Sequence, residues 1–376
     1  MQSYDLTSIS EFLGDFVVYR NLSPMDARLP DLDAVREAAV IPPSVTPRKS
    51  EPAYARVIAR MLQAAREIDA PGAALRRVLY VGDTEGNDGG AFHHLRATTG
   101  WPGMAFIGAE TDAPAQVTVR DDLYLANRWA ALADFDAYCR AHALPIDAHT
   151  AVIIDLDKTA IGARGRNDHV INAARVAAVR HTVDDLLGEA FDAVRFEAAY
   201  NTLNQPRFHP FTTDNQDYLA YICLIIGSDF IALETLIDDI RAKRWPDFAA
   251  FIAHIDAQRA ALSADLRAIH AEIYARVQAG DPTPFKAFRR QEYRETVARM
   301  GRFPADAPVA TLLADEIVLT QEVREMALAW RERGALLFGL SDKPDEASIP
   351  TEALAAQGYR PIHQTATHAV GADAPE

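Results

Sequence analysis

Two rhythms of hydrophobic and polar residues run along this chain, and they change places near residue 170. In EPAYARVIARMLQAAREID, residues 51–69, Val57, Ile58, Met61, Leu62 and Ile68 recur at helical spacing, which predicts an amphipathic helix. The turn-forming APGAA ends it, and RRVLYVG follows as a short apolar run of buried-strand type. The pattern then predicts a helix at 88–99, a strand at 104–109 (MAFIGA), a short strand in AQVTVRD and a helix at 128–143. AVIID, from residue 151, is a further apolar strand. Helices alternating with fully apolar strands imply a parallel sheet covered on both faces.

From about 171 to 330 long helical patterns dominate, including DFIALETLIDDIRAK and ALSADLRAIHAEIYARVQAG. Strand pattern returns in ALLFGLS at 335–341, followed by a short helix near TEALAAQG and an extended RPIHQTATHAV. The expected architecture is an α/β core in two pieces, 1–170 and 331–376, interrupted by an all-helical insertion at 171–330. Residues 1–50 carry mixed, proline-bearing sequence, and VIPPSVTPRKS at 40–50 reads as extended or loop.

Composition narrows the function classes. The 376 residues carry a formal charge of −15, which argues against a nucleic-acid partner. A phosphorylated substrate stays open, because a local cation outweighs the global field. Cys139 and Cys223 are too few and too distant for a disulfide framework or a zinc site, and read as buried small hydrophobes. The longest apolar run, YLAYICLIIG at 218–227, is too short to span a bilayer. MQSYDLTSIS lacks the basic-then-apolar order of a signal peptide, so the expected compartment is the cytoplasm, with no membrane partner.

Candidate chemistry sits where apolar strands end. AVII runs into Asp155-Leu156-Asp157-Lys158-Thr159, VLYV into Gly82-Asp83-Thr84, and ALLFGL into Ser341. Ligands of open parallel sheets bind beyond the carboxyl ends of the strands. Carboxylates gathered there repel one another unless a cation compensates, and Mg²⁺ takes one or two carboxylates plus substrate phosphate. Asp155 and Asp83, with a backbone carbonyl, make a plausible site, and Asp88 would bind through water or orient other groups. Two acids one residue apart also allow a nucleophile and a proton carrier. The bland alternatives are solvated acids at a strand end, an Asx turn at Asp83, and a helix N-cap at Ser341.

Asp155-Leu156-Asp157-Lys158-Thr159 resembles the DxDxT motif of the haloacid-dehalogenase-like phosphohydrolases. Gly82-Asp83-Thr84-Glu85-Gly86-Asn87-Asp88 is similar to that family's acidic fourth motif, and Ser341 to its second. The resemblance implies a Rossmann-like core with a helical cap that closes over the site. It also implies Asp155 as nucleophile, Asp157 as general acid/base, and Asp155, Asp157, Asp83 and Asp88 as the acids around a Mg²⁺ ion. Thr159, Ser341 and a lysine would hold the phosphoryl oxygens. The implied activity is hydrolysis of a small phosphorylated metabolite through an aspartyl phosphate. Alternatives are transfer of the phosphoryl group to another acceptor, and an inactive scaffold that binds a partner protein.

The order departs from the family's usual one, because the acidic motif precedes DxDxT. A circular permutation between the strands of the second and third motifs accounts for this. The third-motif lysine is then expected upstream of Gly82, at Lys49, with Lys343 in SDKPDEAS as its rival. Three further segments stand out. Gly162-Ala163-Arg164-Gly165-Arg166-Asn167-Asp168 reads as a mobile flap whose arginines meet an anion, or as a solvated basic loop. Asn201, Asn204, Arg207, His209 and Asp214 form a polar loop suited to reading a substrate, or a plain helix connection. His93-His94 offers imidazoles, which point apart if the segment is helical.

Overall fold

The computed structural model describes residues 1–372 except positions 44 and 214. It is a mixed α/β protein with a seven-stranded, mostly parallel sheet and many helices. The strands, in chain order, are β1 (Gln2–Thr7), β2 (Val17–Val18), β3 (Arg77–Gly82), β4 (Gly103–Gly108), β5 (Val117–Arg120), β6 (Leu123–Ala126), β7 (Thr150–Asp155), β8 (Leu319–Thr320), β9 (Leu336–Leu340) and β10 (Thr367–Gly371). The large sheet runs β2-β9-β7-β3-β4-β6-β5, and only the β5–β6 pairing is antiparallel. A second, three-stranded sheet runs β1-β10-β8.

The central strands read as unbroken apolar runs because both of their faces are covered. All residues of β7, β4 and β9 are buried. The helix Pro52–Asp69 starts with proline in its first turn, where the missing N–H costs nothing. Its buried face, including Val57, Ile58, Met61 and Leu62, belongs to the same apolar core as Val78, Tyr80, Ile153 and Phe338 of the sheet. Other aromatics pack around β4, where Phe106 lies 5.7 Å from Phe135 and 6.0 Å from Trp129, ring centre to ring centre. Each such side chain contributes about 1.5–3 kcal/mol on burial.

The chain divides into two compact units, 1–173 with 296–376, and 174–295. The first holds both sheets. The second is helical, and its core centres on Gln216–Gly227, where every residue from Leu219 to Gly227 is buried. The apolar stretch at 218–227 is therefore a core helix. Inside this unit Asp217 is fully buried, with its Oδ2 2.6 Å from an Arg289 guanidinium nitrogen. Among the described residues, no helix is long and apolar enough to cross a membrane.

Several elements differ from the pattern-based reading. Residues 296–330 belong to the sheet-bearing unit, whereas the helical insertion was expected to run to 330. They contain β8, and Glu316 ties them to the C-terminal strand: its Oε1 accepts the His368 N–H at 3.1 Å and meets His368 Nδ1 at 2.7 Å. β6 follows β5 through Asp121 and Asp122, both at positive φ, which makes a two-residue hairpin. The first fifty residues, for which the pattern specified no element, contribute β1 and β2.

Candidate active site

Three neighbouring parallel strands deliver the candidate residues. Asp155 ends β7 and lies in register with Leu340, so Ser341 begins the chain beyond β9 on one side. On the other side Ile154 pairs with Val81, so Asp83 emerges just past the end of β3. Carboxylate oxygens of Asp83, Asp88 and Asp155 lie within 4.8 Å of one another, and all three residues are buried.

Asp88 reaches this cluster by folding back. It sits in the turn Glu85–Gly89, and its Oδ2 accepts the backbone N–H groups of Asp83 and Thr84, each at 2.9 Å, and the Thr84 hydroxyl at 3.1 Å. Gly82 makes room for this, because a Cβ there would stand 2.5 Å from Asp88 Cβ and Cγ. The other oxygen, Oδ1, accepts Lys49 Nζ at 2.6 Å and the Tyr80 hydroxyl at 3.4 Å. Both Asp88 oxygens are thus engaged by protein donors.

Lys49 precedes the helix Pro52–Asp69, and its ammonium also donates to Asp155 Oδ1 at 2.5 Å. It is 4% exposed. Burial pulls its pKa down, but the charges of Asp155 and Asp88 outweigh that and hold it well above the usual lysine value. Burial pushes the Asp155 carboxyl well above the carboxylate range; Lys49 opposes the shift, and Asp88 and Asp83 add to it. The Asp83 carboxyl rises to about 7, first through burial and then through the Asp88 charge, with Arg164 pulling the other way. Arg164 Nε donates to Asp83 Oδ2 at 2.5 Å. Three carboxyl groups face two cations here, Lys49 and Arg164.

The Asp155–Thr159 motif forms one tight turn. Ala160 N donates to Asp155 O at 3.2 Å and Ile161 N to Leu156 O at 3.1 Å. Lys158 takes φ +67° within it, a left-handed conformation that costs a non-glycine residue about 1 kcal/mol or more. Asp157 is not among the three mutually close acids. Its side chain is 25% exposed and stands 3.8 Å from Lys343 Nζ. Thr159 is fully buried, and its hydroxyl has no hydrogen-bond partner among the described residues. Ser341 is buried, and its Oγ accepts the Lys343 N–H at 3.1 Å, a local turn bond; it caps no helix, because the short one that follows, Asp345–Ala347, is capped by Pro344. Lys49 thus meets Asp155 and Asp88, while Lys343 meets Asp157.

No protein-family model, curated protein or solved structure matches this chain.

The donor set is all oxygen, which suits a hard cation such as Mg²⁺. The crowding of three buried carboxyl groups and the Thr159 hydroxyl, unpartnered among the described residues, also fit a cation and an anionic ligand. Asp155, through the oxygen not bonded to Lys49, and Asp83 are the acids able to hold such an ion.

The segment 162–168 is docked rather than loose. Arg166 is buried between Glu110 at 2.7 Å and Glu322 at 2.8 Å, so it is not available to a substrate. Asn167 Nδ2 donates to the carbonyls of Leu313 and Glu316. His93 is exposed, and its Nε2 lies 2.8 Å from the Asp121 carbonyl oxygen. In the helical unit, Asn204 accepts from Gln216 at 3.1 Å, the Asn201 carbonyl accepts from Gln205, and Arg207 lies 5.0 Å from the Phe208 ring centre. Asp214 lies outside the described residues. Sequence reasoning missed the Asp83–Arg164 contact and Tyr80; a tyrosine amid the apolar residues of a buried strand was the one available signal for the latter.

Proposed function

We propose that this chain is a Mg²⁺-dependent phosphohydrolase of the haloacid-dehalogenase-like kind, acting on a small phosphorylated metabolite. The observation that carries the reading is the Lys49 ammonium bonded to both Asp155 and Asp88, with the Asp83 carboxylate within 4.8 Å. The strand order supports the permuted arrangement. β7, with the DxDxT motif, lies between β9, with the serine, and β3, with the acidic motif. The N-terminal β2 pairs in parallel with β9, as expected if the chain were cut between the second-motif and third-motif strands. The helical unit enters between β7 and β9 in sequence, the position of a cap.

In this reading Asp155 attacks phosphorus in line and forms the aspartyl phosphate. Asp157, more exposed and beside Lys343, gives its proton to the leaving oxygen and then takes one from water. Thr159, Ser341 and Lys49 are the groups that would hold the phosphoryl oxygens, the Thr159 hydroxyl being without another partner among the described residues. Mg²⁺ held by Asp155 and Asp83 would neutralise charge and orient the phosphoryl group. The test is Asp155→Asn with an aryl phosphate. Loss of Mg²⁺-dependent turnover, with the circular-dichroism melt retained, supports the reading; full turnover overturns it.

A further inference from the structure

Resting on that cation-site reading, we propose that Arg164 is a cation-released anion receptor. It holds Asp83 while the site is metal-free, and turns to an anionic group of the ligand when a divalent cation takes Asp83.

The mounting of Arg164 makes such an exchange a side-chain event. Its carbonyl accepts Glu110 N at 3.0 Å and Trp129 Nε1 at 3.2 Å, and its N–H donates to the Lys158 carbonyl at 2.9 Å. The next residue, Gly165, has φ +77°, and a Cβ there would stand 1.9 Å from the Glu110 oxygen. The backbone is therefore pinned on both sides, one bond coming from the Asp155–Thr159 turn itself. The side chain is 35% exposed, whereas its neighbour Arg166 is 3% exposed and locked between two glutamates. Among the described residues, Arg164 is the arginine that joins a partly exposed side chain to the buried acids.

A cation that takes Asp83 Oδ2 displaces Arg164 Nε, which donates to that same oxygen at 2.5 Å. Of the three acids, Asp88 is already engaged through both oxygens, so a cation needs Asp83. Once displaced, the guanidinium is an unpaired fork at the edge of the site, the geometry that suits phosphate or carboxylate oxygens. The ligand class is thus an anion presenting two oxygens to Arg164, bound after the cation.

The test titrates Mn²⁺, as an oxygen-preferring stand-in for Mg²⁺, into the whole protein and its Arg164→Gln and Arg164→Met variants by calorimetry. Inorganic phosphate is then titrated into the metal-free and Mn²⁺-loaded forms. Removing the guanidinium is expected to tighten Mn²⁺ binding about tenfold, the low end for a charge-assisted bond that is partly solvated. Phosphate binding to the Mn²⁺-loaded variants is expected to weaken by about tenfold. Mn²⁺ binding that is unchanged or weaker in both variants overturns the exchange. Unchanged phosphate binding overturns the receptor role. Absence of Mn²⁺ binding in every form, wild type included, overturns the cation site and the inference together. Unaltered circular-dichroism melts in either variant establish that the comparison is between folded proteins.

Discussion

Lys49→Met removes the one buried cation shared by Asp155 and Asp88 while keeping an unbranched apolar stem. In the native arrangement the ammonium lies 2.5 Å from Asp155 Oδ1 and 2.6 Å from Asp88 Oδ1, and all three groups are buried. Without it, two neighbouring carboxylates lack their counter-ion, and Asp88 keeps only its turn N–H and hydroxyl donors. Breaking a buried pair by removing one partner costs about 3–5 kcal/mol. Proton uptake limits that loss, since each unit of pKa shift is worth about 1.4 kcal/mol. The penalty is therefore expected near the lower figure, about 3 kcal/mol at neutral pH, shrinking as the pH is lowered through the acid range. Urea unfolding of wild type, Lys49→Met and Lys49→Arg, followed by tryptophan fluorescence at two pH values, measures it. A Lys49→Met loss under about 1 kcal/mol at neutral pH would refute the view that this ammonium holds the acids together.

Other perturbations have defined outcomes. Gly82→Ala places a Cβ 2.5 Å from Asp88 and is expected to destabilise by about 1–3 kcal/mol, read from the urea midpoint, and to weaken Mn²⁺ binding. Mg²⁺ is expected to raise the melting temperature of the wild type by mass action, and Asp83→Asn to abolish the rise. His363 is buried, and burial depresses its pKa below 6.5 despite Asp15 at 3.1 Å, so its contribution is present above that pH and is lost as the pH falls below it. Urea midpoints at about pH 7.5 and about pH 5.5 should differ more for wild type than for His363→Gln. In the helical unit, Arg289→Met strands the fully buried Asp217 and should cost about 3–5 kcal/mol, seen as faster proteolysis within 174–295.

The strands that carry the site were legible because full burial writes itself as uninterrupted apolar sequence. β3, β7 and β9 were all readable this way, and so was the helix after Lys49. The juxtaposition of Asp83 and Asp155 followed from one premise, that parallel strands end on the same edge; Asp88 joins them through the fold-back of Glu85–Gly89. What escaped lacked such a signal. β2 is two residues long, too short for any period to register. β6 hides behind an Asp121-Asp122 turn where asparagine–glycine is the familiar cue. The extent of the helical insertion was overdrawn because residues 296–330 are mostly helical too, and the contacts that tie them to the sheet-bearing unit, such as Glu316–His368 and Arg166–Glu322, are invisible in a linear pattern. Arg164 and Arg166 look equivalent in sequence, yet one meets a candidate metal ligand and the other is buried between Glu110 and Glu322. Spacing in the chain cannot separate them, because their partners come from β-strand ends and a helix distant in sequence.

The most direct measurement is chemical trapping of the phosphorylated enzyme. The protein is mixed with Mg²⁺ and an aryl phosphate, quenched with borohydride, digested, and its peptides weighed. Reduction of an acyl phosphate leaves homoserine, and this is expected at position 155 alone, only when Mg²⁺ is present. Turnover of the aryl phosphate with Asp155 unmodified, or a modification elsewhere, would contradict Asp155 as the phosphoryl acceptor.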